Sequence, residues 1–207
     1  VHLAVNQNGR WAPHFSYLRE ATKQGLVGDV TTIDFSLQWD QTWIAGTPAF
    51  EDIHHLILFD FGVHWFDITN CLMGEHRAES VFAEVQRFDQ QVYRPPAIAS
   101  AIIRYPDAQI RMSFHGHTKL GEEDVTTVVG TKGTLRSRGP GLNDQPEMQI
   151  SLESGQCLIP LKGCWFDEGF DGAMGELLCA IEQNRLPNHS AANNLHSLEL
   201  CFAAVHS

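Results

Sequence analysis

Positive charge is scarce in this sequence. Its 207 residues hold 14 Lys and Arg against 25 Asp and Glu, a formal charge of −11. That balance excludes a nucleic-acid binder driven by basic charge and a polybasic membrane-surface protein. No apolar run approaches the roughly 18 residues of a membrane-spanning helix, and the first residues lack the basic-then-apolar profile of a secretion signal, so the chain reads as cytoplasmic. No C-x-x-C pair occurs. Five widely spaced cysteines (Cys71, Cys157, Cys164, Cys179, Cys201) suit neither a disulfide framework nor a zinc knuckle, and read as reduced, mostly core thiols. No G-x-G-x-x-G occurs either. Gly25-Leu26-Val27-Gly28 follows a helix and precedes a strand, the reverse of the order that aims amides at phosphate, and Thr131-Lys132-Gly133-Thr134 is a hairpin turn without the rest of a P-loop.

What is present suits a folded core: 43% hydrophobic and 19% charged residues, in a chain long enough to bury roughly 70% of its unfolded surface as one large domain or two small ones. Val1 to Gln7 alternates like a strand already under way, as in the later part of a longer protein. Pro13 starts a helix with apolar residues at Phe15, Leu18 and Ala21, and Gly25 can end it. Val30 to Trp39 alternates strictly and predicts a half-buried strand. A loop over 40–52, long enough to be functional, leads to a strongly apolar helix over 53–73 that Gly74 ends. Seven strands follow, over 80–88, 98–105, 109–117, 125–130, 134–137, 148–153 and 156–161. Short turns join several of them, so consecutive strands should pair as an antiparallel meander. Helices over 171–184 and 191–205, the second capped by Ser190, close the chain. The class is α+β, a mostly antiparallel open sheet with helices on one face.

The sharpest chemical feature lies in the apolar helix. Asp60 and His64 are four residues apart, which on an α-helix puts them on one face about 6 Å apart along the axis. A carboxylate there can hold the imidazole and favour its protonated form, making His64 a candidate proton carrier near neutral pH. The alternative is a polar stripe facing solvent, or a histidine satisfied in the core. Gln7, Asn8, Arg10 and Trp11 form a second cluster able to offer donors to hydroxyl or carboxylate groups, unless Arg10 is spent on an acidic helix start. Trp39 and Trp43 flank the long loop and could hold a sugar ring, or, for Trp39, pack in the core. His115 and His117 share a strand face with metal-binding spacing, but no third ligand is declared, and substrate contact or plain strand surface is the better reading. No metal site is assigned.

In their order along the chain, these segments resemble the C-terminal domain of the Gfo/Idh/MocA oxidoreductases, the glucose-fructose oxidoreductase and inositol dehydrogenase family. The likeness runs from Gln7-Asn8-Gly9-Arg10-Trp11-Ala12-Pro13 through Asp60-Phe61-Gly62-Val63-His64 and Gly130-Thr131-Lys132-Gly133-Thr134-Leu135. It ends with Gly169-Phe170-Asp171-Gly172-Ala173-Met174-Gly175-Glu176-Leu177 and Asn194-Leu195-His196-Ser197-Leu198. The resemblance implies a glyceraldehyde-3-phosphate dehydrogenase-like sheet domain over 1–207 that binds substrate and oligomerises. It implies His64 as the acid/base, Asp60 as its orienting partner, and Gln7, Asn8, Arg10, Trp11, Trp39, Trp43 and His117 at the substrate. NAD or NADP would be bound by an N-terminal Rossmann domain absent here, which would also carry the family's Glu-Lys-Pro motif. This stretch alone would then be inactive. The substrate would be a small sugar, inositol or related polyol, and the assembly a homodimer or homotetramer built through the sheet face. A non-catalytic carbohydrate-binding or dimerisation module and an NAD-assisted glycosidase of the same family are the alternatives.

Overall fold

Strict alternation over residues 32–38 builds the central strand. In β1 (Val30–Gln38), Ile33, Phe35 and Leu37 are buried while Thr32, Asp34, Ser36 and Gln38 are half-buried, the two faces a period-2 pattern requires. The computed structural model describes residues 2–207. Seven more strands join β1 in one sheet: β2 (Ser80–Gln86), β3 (Ile98–Arg104), β4 (Gln109–His115), β5 (Glu123–Gly130), β6 (Gly133–Gly139), β7 (Glu147–Leu152) and β8 (Gly155–Pro160). The order is β2-β3-β4-β1-β5-β6-β7-β8. Every neighbouring pair is antiparallel except β1 and β4, which run parallel from Thr32↔Gln109 to Gln38↔His115. The meander expected from the sequence is therefore two meanders with β1 inserted between them.

The helices are α1 (Pro13–Lys23), a short α2 (Pro48–Glu51) with no buried residue, α3 (Gly62–Met73), α4 (Trp165–Glu182) and α5 (Ala191–His206), of which α3 packs on β1 and α5 on β2. The predicted 40–52 loop holds α2 and a 3-10 turn over Thr42–Ile44, and α4 starts six residues earlier than expected. The alternation over 1–7 yields no strand among the described residues. Ala4 makes a single bridge to Ser190, and a 3-10 turn follows over Asn8–Trp11. The cysteines are free as expected but not mostly core: Cys201 is buried, while Cys157 and Cys179 are exposed.

The apolar helix read over 53–73 is two pieces. Ile57–Phe61 is π-helical, and Gly62 donates its N–H back five residues to the Ile57 carbonyl. A Cβ at Gly62 would stand 2.9 Å from that oxygen, so glycine lets the wide turn close into the α-helix. Gly74, at φ 60° and ψ −120°, stops α3 in a conformation only glycine adopts easily.

His14 on α1 is 1% exposed with neither ring nitrogen hydrogen-bonded, and burial lowers its pKa from 6.5 to about 3. Below pH 6.5 the unfolded chain protonates this ring and the folded chain resists until about pH 3, so the site loses stability as pH falls across that window. A His14→Leu variant is expected to match or exceed the wild type at pH 7. Its advantage should then grow by about 1.4 kcal/mol per pH unit of acidification. Urea unfolding of both proteins at pH 7 and 5 reads the difference.

Candidate active site

His64 lies in the first turn of α3, half-buried. Its Nδ1 is 3.0 Å from Oε1 of Gln7, and Nε2 of Gln7 donates to Oδ1 of Asn194 over 2.9 Å. An amide oxygen only accepts. With the Gln7 NH₂ turned to Asn194, its Oε1 takes the proton on Nδ1, leaving the neutral ring's lone pair at Nε2. Gln7 and Asn194 are both buried, so the relay is fixed from within. Nε2 has no partner in the chain and is not among the buried unpaired atoms, which places it at the accessible side. The ring meets Trp165 edge-on at 5.7 Å between centroids. Trp165 in turn donates Nε1 to Oδ1 of Asn8 over 3.4 Å.

Two expectations about the histidine change. The carboxylate whose charge reaches it is Asp67, one turn later in α3, and burial outweighs that charge, so the His64 pKa lies below its ordinary value. Asp60 makes no hydrogen bond to the ring. It sits in the π-helical stretch, exposed, with its own pKa raised by partial desolvation. The α-helical spacing that would have stacked the two groups does not hold across a π turn.

Arg10, expected at the substrate, is committed inside the protein. It is 5% exposed and grips Asp67 with two bonds, Nε to Oδ2 and Nη2 to Oδ1, each 2.6 Å. Nη1 donates to the Asn188 carbonyl and Nη2 also to Oδ1 of Asn193, while Oδ1 of Asp67 accepts from Ser197. Burial alone would lower the guanidinium's pKa, and the Asp67 bonds and charge outweigh it and raise it. Arg10 thus ties the 3-10 turn, α3 and the start of α5 together, with four of its five N–H donors committed to the protein. Trp11 packs over Gly172 and meets His189 edge-on at 4.8 Å. Trp39 is buried against Phe61. Trp43 is 61% exposed beside Phe50, and His117 packs with Phe88 and Tyr93. None of these four hydrogen-bonds His64 or Gln7 or pairs its ring with His64. The fold thus gathers Gln7, Asn8 and His64, while sequence reasoning missed Asp67, Trp165 and Asn194. Asp67 was visible as a carboxylate three residues past His64, and Asn194 opens the Asn194-Leu195-His196-Ser197-Leu198 segment. Trp165 carried no local signal.

A cavity of about 950 Å³ opens at the C-terminal ends of α1 and α3, lined by Arg10, Arg19, Lys23, Cys71, Arg77 and His196 among others. It does not include His64. Of the ring, Nε2 is the nitrogen left accessible.

The sheet is antiparallel apart from the one β1/β4 pair, and His64 stands at the head of α3. Residues 15–136 match the GFO/IDH/MocA C-terminal domain, and the chain belongs to that family. It is 25% identical over 222 residues to D-apiose dehydrogenase of Rhizobium rhizogenes, covering 100% of this chain and 62% of the relative. It is 22% identical to inositol 2-dehydrogenase of Rhizobium meliloti, covering 99% of this chain and again 62% of the relative. The chain therefore spans less than two thirds of these proteins. Among solved structures, an oxidoreductase from Agrobacterium radiobacter in complex with NAD+, L-tartaric acid and magnesium has the same fold, with a TM-score of 0.84 at 20% identity over 100% of this chain and 63% of that one. Among the described residues, no helix is long and apolar enough to cross a membrane.

Proposed function

We propose that this chain is the substrate-binding and proton-transfer half of an NAD(P)-dependent oxidoreductase acting on a hydroxyl of a sugar, inositol or related polyol. The observation that carries the reading is the buried Asn194–Gln7–His64 relay, which leaves an unprotonated, accessible Nε2 without a partner in the chain. A ring held neutral by burial is suited to accept the hydroxyl proton. Gln7 keeps the ring turned, and Asp67 supplies negative charge toward the imidazolium that forms. Asp60, exposed on the π turn, offers a carboxylate to a neighbouring substrate hydroxyl. In the reverse direction the imidazolium returns its proton.

The dinucleotide does not fit this part of the protein. Among the described residues the single parallel strand pair, β1 and β4, lacks a glycine-rich strand-to-helix turn that could cradle phosphates. When bound by the part of the relatives that this chain does not span, the nicotinamide would take the hydrogen leaving the carbon with its electron pair. The relatives' names, a D-apiose and an inositol dehydrogenase, support a polyhydroxy substrate, and five free cysteines suit a reducing cytoplasm. The outer sheet face, with Phe82 and Ile102 paired and exposed toward one edge and Leu158 exposed on the other edge strand, fits a second copy. Light scattering of the full-length protein should then give at least twice the monomer mass.

The reading is tested by assaying the full-length protein on pentoses, hexoses and inositols with NAD+ and NADP+. Turnover of at least one polyol is expected, and dinucleotide binding without turnover of any would overturn the acid/base assignment.

A further inference from the structure

The cavity of about 950 Å³ plays no part in the chemistry assigned to His64. It begins roughly 10 Å further along α3 than that ring, where Asn70, Cys71 and Arg77 line it, and its volume is that of a small-molecule site. The inner wall is fixed by the fold. Arg10 is 5% exposed and donates to the Asn188 carbonyl and to Oδ1 of Asn193, and all three residues line the cavity. Asn70 donates to Oγ of Ser197. Wall groups tied in this way make a preformed cavity, which lowers the cost of filling it.

The charges of the lining select the occupant. Four cations, Arg10, Arg19, Lys23 and Arg77, meet four carboxylates, Glu20, Asp29, Glu75 and Asp107, so the wall is balanced in a chain of formal charge −11. Of these eight, among the described residues, Arg10 is paired with Asp67 and Arg19 with Glu20. Lys23, Arg77, Asp29, Glu75 and Asp107 have no oppositely charged partner. The cavity also lies at the C-terminal ends of α1 and α3, which carry partial negative charge. A small anion would meet carboxylates and helix C-termini, and a metal ion would meet ammonium and guanidinium groups. A neutral ligand with several hydroxyls suits both kinds of neighbour, because each hydroxyl donates and accepts. We propose that this cavity is a second, non-catalytic site for a neutral polyhydroxy compound, a sugar or cyclic polyol. The ligand class is read from the lining alone and does not rest on the function proposed above.

Cys71 supplies a reporter, since it lines the cavity half-buried. Burial pushes its thiol up to about 11, so it is alkylated with iodoacetamide at alkaline pH, in the full-length protein, and read by peptide mass spectrometry. D-xylose, D-glucose and myo-inositol are the probes. At least one of them is expected to slow modification of Cys71 by about 3-fold or more, as mass action gives once the ligand exceeds twice its Kd, while the exposed Cys157 and Cys179 react as before. The protection should persist in His64→Ala and be lost in Lys23→Ala with Arg77→Ala, two exposed positions whose truncation the fold tolerates. Absence of protection by all three probes, equal slowing at Cys157, loss of protection in His64→Ala or its survival in the double variant would overturn the proposal. Protection in a protein that turns over no polyol supports the cavity site and overturns the proposed function, whereas turnover without protection overturns the cavity site alone.

Discussion

Replacing Asp67 by alanine should cost the fold about 3–5 kcal/mol, because it strands the Arg10 guanidinium in the interior. The two side chains are 6% and 1% exposed, so Arg10 has little access to water in place of its partner. Its bonds to Asn188 and Asn193 would remain, but neither partner carries charge, and Ser197 would lose its acceptor too. A loss of this size is a large fraction of a domain's total stability. Removing both partners together, as Arg10→Met with Asp67→Leu, should cost less than either truncation alone, since no buried charge is left behind. Urea unfolding of the three variants decides the matter. A cost under 1 kcal/mol for Asp67→Ala would show that the pair behaves as a surface ion pair, and Arg10 would again be a candidate for ligand contact.

The other large effect is on catalysis. His64→Ala in the full-length enzyme should lower kcat/KM for the polyol by roughly 10²- to 10⁴-fold, the usual worth of a positioned general base. Stability should move little, because the ring is half-buried and makes one hydrogen bond. Circular dichroism and unfolding of the variant separate the two effects. Activity within a factor of a few of wild type would remove His64 from the reaction.

Much of this was legible in the sequence, for physical reasons that also mark where legibility stopped. Seven strands after residue 80 and the strand from Val30 announced themselves because one face of the sheet is buried and the other is not, which writes a period of two into the residues. The place of β1 between β4 and β5 was not legible, since the pairing of strands distant in sequence is decided by packing and leaves no local mark. The alternation near the start promised a strand, yet residues 2–7 pair at one bridge only. Alternation reports two differing faces and does not guarantee a neighbouring strand. At the site, the Asp60/His64 motif and the Gln7/Asn8/Arg10 cluster were both found, and their roles were then redistributed. A π turn needs only a glycine at the right place and has no periodic signature, so the α-helical spacing assumed for Asp60 and His64 was the natural error. Arg10 could not be separated from a ligand-binding arginine without seeing Asp67 across 57 residues of chain.

The central claim is that a neutral imidazole, locked by Gln7, takes the proton from the substrate hydroxyl. The pH dependence of kcat/KM for polyol oxidation by the full-length enzyme tests it most directly, beside that of His64→Gln. The account predicts a rate that falls on the acid side with a midpoint below 6.5, and a variant whose residual rate lacks that limb. A midpoint above 6.5, or the same limb persisting in the variant, would contradict it.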